Sequence, residues 1–442
     1  MIAEMGPVTR LWAQLRVGDR ARYLEKASQG VVDEFEDCCA AIAAQARQPA
    51  VEVASLEVLP AIDALRWLGE GSKRLLGAHR FALPRALHPL TRASAGHAPV
   101  GVVGVRGAGG APFGLPLCAI GAALLGGNGV VFAPAEGASV GAERILSVLG
   151  RAGLPEGLVA LGEPVLEGCD VVLDLGAGPS GGDAMIVLSD ARLDRAVEGA
   201  LWAACAGAGE LAGSLKRVFV ERDVYEEFVS ELAIAASALA PGDGVLGEMS
   251  SEEACATLAA AVDEALGLGG LARCGARAGD GVIGFTPVVL TDVPADARLR
   301  RERLGGPVVC VTAVADSVEA ATLANSPQRC LGASIWSADR RHAVRIAREL
   351  EARVVWGNDH VPALPLRQAA ADALSDCGRA QLITWESASG RPPWRYPYDD
   401  AAGLAARTVA ALHSHRDGER EQAVRDGGRA VIRVLGRAVW RP

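Results

Sequence analysis

Two hydrophobic rhythms alternate along the chain. Apolar residues at three- and four-residue spacing predict helices from about Arg10 to Leu76, in segments such as "GVVDEFEDCCAAIAAQARQ" (30–48) and "VASLEVLPAIDALRWLGEGSKRLL" (53–76). From Arg80 to His97 the pattern alternates weakly and carries several prolines, which predicts short edge or hairpin strands. Next, "VGVVGV" (100–105) reads as a buried strand and "GLPLCAIGAALLGGN" (114–128) as a helix with a Gly-Gly-Asn stop. "GVVFAP" (129–134) is a second strand, and "SVGAERILSVLGRAGLPEG" (139–157) a second helix with Ser139 as its N-cap. Strand, helix, strand, helix implies a parallel sheet with right-handed crossovers.

A further strand, "CDVVLDLG" (169–176), precedes a second half in which the alternation repeats. Strands are predicted at "KRVFVE" (216–221), "GPVVCVTAV" (306–314), "GASIWSA" (332–338) and "RVVWGN" (353–358). Helices are predicted at "VYEEFVSELAIAASAL" (224–239), "SVEAATLANS" (317–326) and "DRRHAVRIARELEA" (339–352). From Ser387 a Pro- and aromatic-rich linker, "SASGRPPWRYPYDD", leads into a helical tail. The fold class is therefore α/β.

Composition narrows the function classes. With 442 residues, half of them hydrophobic, the chain can bury large cores and divide into two or three domains. A net charge of −9 argues against nucleic acid as a main partner, because phosphate binding needs a basic face. The N-terminal segment has no apolar core of the signal-peptide kind, and the apolar run 115–135 is too interrupted by Gly to span a membrane. A cytoplasmic protein with no membrane partner is expected. Ten scattered Cys, with no CxxC and no His at ligand spacing, predict neither a disulfide framework nor a metal site.

Four stretches together resemble the aldehyde dehydrogenase superfamily, from near the N-terminus to about His360. They are "APVGVVGV", "LPLCAIGAALLGGNGVVFAPAEGAS", "IVLSDARLDRAVEGALWAACAGAGE" and the long run from "LGGPVVCVTAV" to "RVVWGNDH". The resemblance implies a truncated Rossmann-type cofactor domain, an α/β catalytic-type domain and an oligomerisation hairpin. The boundaries expected are 1–180 for the degenerate dinucleotide-binding-type domain (with the hairpin at 80–97), 181–370 for the catalytic-type domain and 371–442 for a C-terminal arm and helical tail.

At the family's site positions this sequence departs. The family's catalytic cysteine follows a Gly-Gln or Gly-Glu pair by two residues; Gly209 and Glu210 match the pair, and the position beyond is Ala212. A methyl group cannot add to a carbonyl. The general-base Glu falls on Pro179, with Asp174 and Asp183 the nearest carboxylates, and the oxyanion-stabilising Asn falls on Gly114. On the cofactor side the ribose Lys falls on Ala133, Glu136 is kept, and the nicotinamide-ribose Glu falls on Arg303. Between 175 and 183 "AGPSGG" replaces a Gly-rich turn, a helix and a strand.

These departures lead to the expectation of a non-catalytic homologue, a structural, partner or regulatory subunit that binds no cofactor. The alternative is an active NAD(P)-dependent aldehyde oxidoreductase with relocated catalytic residues. Under it Cys205 is the candidate nucleophile, although its helical context reads as a packing thiol with no cation beside it in sequence. A homodimer or tetramer is expected, or pairing with an active paralogue, through residues 80–97 and the tail beyond Pro392.

Overall fold

The computed structural model describes residues 2–84, 88, 90–162, 166–176, 182–279, 282–326, 330–363, 365–387, 394 and 399–437. Two short strands form where weak alternation predicted them, His79–Phe81 (β1) and Thr91–Pro99 (β2), antiparallel with Arg80 opposite Ser94. They share a three-stranded sheet, order β1-β2-β14, with the last strand of the chain, Gly378–Glu386 (β14). Nothing in the sequence pattern singled out β14. Leu382, Ile383 and Trp385 are all exposed on it, so no one-sided apolar face exists to be read.

Four parallel strands build the first large sheet: Val102–Arg106 (β3), Gly129–Ala133 (β4), Val159–Leu161 (β5) and Val171–Asp174 (β6), in the order β5-β4-β3-β6. β4 is buried throughout, as a strand covered on both faces must be. The crossover from β3 to β4 is the helix Gly114–Gly126, whose residues are almost all buried and which therefore shows no polar stripe. Its last carbonyls are taken up by side chains: Trp12 Nε1 donates to Leu124 at 2.8 Å, Arg20 Nε to Leu125 at 2.9 Å, and Asn128 Nδ2 to Ala123 at 3.0 Å.

The next crossover, Ser139–Arg151, corrects one expectation. Ser139 is the first residue of the helix, and its cap position, Ala138, makes no side-chain bond. The capping is done from a distance by Gln45, whose Oε1 accepts from Val140 N at 3.0 Å while its Nε2 donates to the Ser139 hydroxyl at 2.9 Å. Gln45→Ala should cost about 1 kcal/mol in stability by urea unfolding, the usual worth of a lost cap.

The second large sheet holds seven strands: Asp183–Val187 (β7), Leu215–Glu221 (β8), Leu271–Cys274 (β9), Val288–Thr291 (β10), Val308–Val314 (β11), Gly332–Trp336 (β12) and Val354–Gly357 (β13). Their order is β13-β12-β7-β8-β11-β10-β9, and every pairing is parallel except β9 with β10. Only residues 175–182 join β6 to β7, which leaves no length for a helical crossover.

The chain falls into two units, Met1–Lys73 with Pro99–Cys377, and Arg74–Ala98 with Gly378–Pro442. The hairpin strands thus group with the C-terminal segment rather than with the first sheet. The helical tail is two helices, Asp400–Ala411 and Glu419–Gly436, closed around Ala402, Ala405 and Val434. Linker residues 388–393, with Pro392 among them, and 395–398 lie outside the described residues.

Candidate active site

Within the larger unit a cavity of about 280 Å³ opens where the turn after β3 meets the loop that follows the helix Leu193–Cys205. That loop is shaped by backbone conformation. Gly207, Ala208 and Gly209 all take positive φ, at 60°, 53° and 71°. A side chain on Gly209 would overlap the Gly306 carbonyl, so the position admits only glycine. Lys216, buried on β8, fixes the same junction by donating to Gly209 O at 2.8 Å and Gly306 O at 2.5 Å. Burial lowers its ammonium to about 8.

Three carboxyl groups on the cavity wall have raised pKa values, each chiefly because burial penalises the charged form. Glu52 accepts from Gly207 N at 2.9 Å. Glu57 accepts from Phe113 N at 3.1 Å and Gly114 N at 2.5 Å, and its carboxyl is raised to about 7. Glu210 accepts from Ser250 N and Ser250 Oγ, both at 2.9 Å. The sequence reading noticed Glu210 only as half of the Gly-Glu pair and missed Glu52 and Glu57. The available signal was a pair of acidic residues inside the apolar helical run "VEVASLEVL", where the backbone widens into a π-helical turn at Ala54–Val58.

The residues expected at the family's site positions divide. Ala212 is exposed at the end of the loop, and its carbonyl accepts from Arg303 Nη1 at 3.2 Å, so these two positions do come together. Gly114 lies at the head of its helix against the Glu57 carbonyl and Leu366, with no room for a larger side chain. Glu136 lines the cavity, while Ala133 is buried at the end of β4. Pro179 lies outside the described residues. Asp174 pairs with Arg106 at 2.9 Å. Asp183 is buried 3.8 Å from His360, and burial raises its carboxyl to about 7 and lowers the imidazole to about 4. Cys205 packs in the apolar core with Val218 and Phe228, and burial pushes its thiol to about 12. Cys310 and Cys330 are buried likewise.

The turn after β3 is where a dinucleotide cofactor would be tested for fit, since parallel sheets bind ligands beyond the carboxyl ends of their strands. Gly109, Gly110, Glu136 and Gly137 line the cavity there. A Cβ on Gly109 or Gly137 would project into open space, so backbone can approach a ligand closely at both. Glu136 supplies a carboxylate of the kind that accepts from ribose hydroxyls. Glu136 fits a ribose; toward phosphates the described wall offers one cation, Arg47, which pairs with Glu248 at 3.0 Å, beside four carboxyl groups.

The pattern of the Aldehyde dehydrogenase family matches residues 2–164 and 168–369. The chain belongs to the aldehyde dehydrogenase family. A 4,4'-diapolycopene aldehyde oxidase of Methylomonas is 29% identical over 376 residues, covering 77% of this chain and 70% of the relative. A succinate-semialdehyde dehydrogenase [NADP(+)] of Deinococcus radiodurans is 29% identical over 389 residues, covering 79% of each. Among solved structures, the NAD+ complex of an aldehyde dehydrogenase from Bacillus cereus matches with a TM-score of 0.77 at 21% identity, over 85% of each chain. An NAD-dependent benzaldehyde dehydrogenase from Corynebacterium glutamicum gives 0.75 at 21%, over 86% of this chain and 88% of its own. These two show the fold.

The comparisons correct three expectations. The chain was expected to be a non-catalytic subunit, not an enzyme, and without cofactor. Aldehyde dehydrogenase relatives that match through most of their own length are named for aldehyde oxidation, one with NADP(+), and the alternative reading carries that weight better. Of the carboxyl groups on the cavity wall, Glu136 and Glu210 lie in the stretches that carry the resemblance, and Glu52 and Glu57 come from the N-terminal helices outside them. Among the described residues no group of three His, Cys, Asp or Glu could hold a metal, and no helix is long and apolar enough to cross a membrane.

Proposed function

We propose that the protein is an NAD(P)-dependent aldehyde oxidoreductase whose catalytic groups are not at the family's usual positions. The observation that carries this reading is the cavity itself, whose lining brings a glycine-rich turn and Glu136 together with Glu52 and Glu210 beside the Gly207 loop. The bound nicotinamide dinucleotide supplies the hydride acceptor. Glu136 would accept from its ribose hydroxyls, with Gly109, Gly137 and Gly207 lining the same cavity. Ala212 and Gly114 take no part in bond making under this reading, since neither has a reactive side chain.

The wider assignment follows. Residues 1–180 serve cofactor binding and 181–370 the reaction, with residues 80–97 and the tail making a homodimer or tetramer. The exposed strand β14 supports such a role. Ten free cysteines suit a reducing cytoplasm.

The test uses the full chain with NAD+ or NADP+ and a panel of aldehydes that includes succinate semialdehyde. Aldehyde-dependent absorbance of reduced nucleotide is expected. Saturating oxidised nucleotide should also raise the melting temperature by roughly 3–6 °C, because ligand at a hundred times its Kd adds about 2.7 kcal/mol to the folded state. Neither turnover with any aldehyde nor a shift with either nucleotide would end this reading.

A further inference from the structure

We propose that His360 is a positioning residue for the Gly207–Ser214 turn, and that Asp183 competes with that turn for its single ring N–H, so that ionisation of Asp183 releases the turn. Neither side chain is among those lining the cavity, and the device is independent of the reaction proposed above.

The turn shapes part of the cavity through Gly207, Glu210 and Leu211. Its first half is held at several points. Gly207 N donates to Glu52 at 2.9 Å, and Gly209 O accepts from Gly306 N at 3.0 Å as well as from Lys216. Its second half rests on the segment after β13. Gly213 N donates to Pro362 O at 3.3 Å, and a side chain on Gly213 would overlap the Pro362 backbone. Gly213 O faces His360 Nε2 at 3.4 Å.

His360 is fully buried, and its surroundings fix the tautomer. A carbonyl only accepts, so Nε2 carries the hydrogen. On the other side Nδ1 lies 2.9 Å from Ser334 Oγ, which already accepts from the Trp336 indole N–H at 3.2 Å and is free to donate its own proton to Nδ1. Burial keeps the ring neutral by lowering the imidazole to about 4. It therefore has one N–H to give, at Nε2.

A second acceptor stands beside it. Asp183 Oδ2, on β7, is 3.8 Å from the same Nε2, and Asp183 Oδ1 has no hydrogen-bond partner among the described residues. While the carboxyl is protonated it has no charge to compensate, and the N–H goes to Gly213. Once ionised, a carboxylate only 1% exposed needs donors, and it attracts an N–H about twice as strongly as a carbonyl does. A shift of about 1 Å brings Nε2 within hydrogen-bond distance of Oδ2. The nitrogen carries one hydrogen, so what Asp183 gains Gly213 loses.

The other charged and titratable groups facing Asp183 are Arg217 on β8, Arg303 before β11 and the Cys330 thiol before β12. The two cations favour ionisation, burial opposes it more strongly, and the carboxyl ends near 7. Arg217 and Arg303 are themselves committed to backbone carbonyls, among them those of Gly182 and Ala212. The turn is thus gripped at low pH and released as pH rises through neutrality.

Amide hydrogen exchange of the full chain, read by mass spectrometry from about pH 5.5 to about pH 8.5 and corrected for intrinsic exchange chemistry, tests this. In the wild type, protection of residues 207–214 should fall at least about fivefold with a midpoint near 7, while β4 changes little. Asp183→Asn keeps the shape and loses the charge, and should hold the turn at every pH. His360→Ala should leave it loose at every pH. A merely structural role would shift protection without altering its dependence on pH. Wild-type protection that does not vary with pH, or an unchanged pH dependence in Asp183→Asn, would overturn the proposal. Should Asp183→Asn not fold, nitrogen-15 spectra of the histidine-labelled wild type decide. Nε2 of His360 should keep its hydrogen throughout and its shift should move with the same midpoint; a neutral ring protonated at Nδ1 would equally overturn the proposal.

Discussion

Arg217→Ala is expected to lower the stability of the chain by about 4 kcal/mol or more, enough to leave little folded protein at 37 °C if the parent has ordinary stability. Arg217 projects from β8 and is only 3% exposed. Its guanidinium donates to Gly182 O from Nε and Nη2 at 3.2 and 3.0 Å, to Leu323 O and Ser326 O from Nη1 at 3.2 and 2.6 Å, and to Ala324 O from Nη2 at 3.1 Å. The last three acceptors lie at or just beyond the C-terminal end of the helix Ser317–Ala324, where carbonyls have no intrahelical donor. One side chain thus closes a helix end and ties it to the start of β7. Truncation leaves several carbonyls and a cavity inside the sheet–helix layer. Urea unfolding of Arg217→Ala and Arg217→Lys checks the argument: lysine keeps the charge but lacks the planar fork and should recover only part of the loss. Equal stability of all three proteins would refute it.

Glu57→Gln is expected to stabilise the protein at alkaline pH by up to about 3 kcal/mol, with no gain near pH 4.5. The Glu57 carboxyl is 8% exposed and titrates near 7 in the fold, against 4.5 for an ordinary glutamate, because burial penalises its charge more than two backbone donors relieve it. A folded-state value above the unfolded one means that the contribution of this group is fully present below pH 4.5. It is lost as pH rises through the folded value of about 7. Glutamine keeps the carbonyl oxygen that accepts from Phe113 N and Gly114 N and carries no charge to be buried. The difference in melting temperature between the two proteins should therefore open between pH 4.5 and 7 and stay level above. Asp183 and His360 titrate across an overlapping range, but they are common to both proteins and cancel in the difference. A difference that does not change with pH would show that the carboxyl is not the source.

Cavity and stability share a logic. Glu57, Arg217 and Lys216 are costly buried polar groups, and each is spent on holding backbone carbonyls or amides where two segments meet. Lys216 joins the Gly209 turn to Gly306, and Glu57 fixes the head of the helix below the cavity. The site is assembled by loops, and these groups supply the rigidity that loops lack.

What the sequence determined by itself was local and periodic. The apolar runs of β3, β4, β11 and β12 are legible because a strand buried on both faces needs a near-continuous hydrophobic stretch, while β8 is buried with Lys216 and Arg217 in it. The Gly-Gly-Asn stop is legible because only a left-handed residue ends that helix cheaply, and Gly127 takes φ 96°. The short join between β6 and β7 could be read from length alone. Tertiary structure decided the rest. Gln45 replaces Ser139 as the cap of a helix far along the chain, and β14 pairs in the sheet of β1 and β2 although it has no buried face of its own. Glu52 reaches Gly207 across 155 positions of sequence, and no periodicity records such a meeting. Local pattern reflects which face of an element avoids water. Which carboxyl group faces a given loop depends on the packing of whole layers, a sum of many long-range contacts that no single segment encodes.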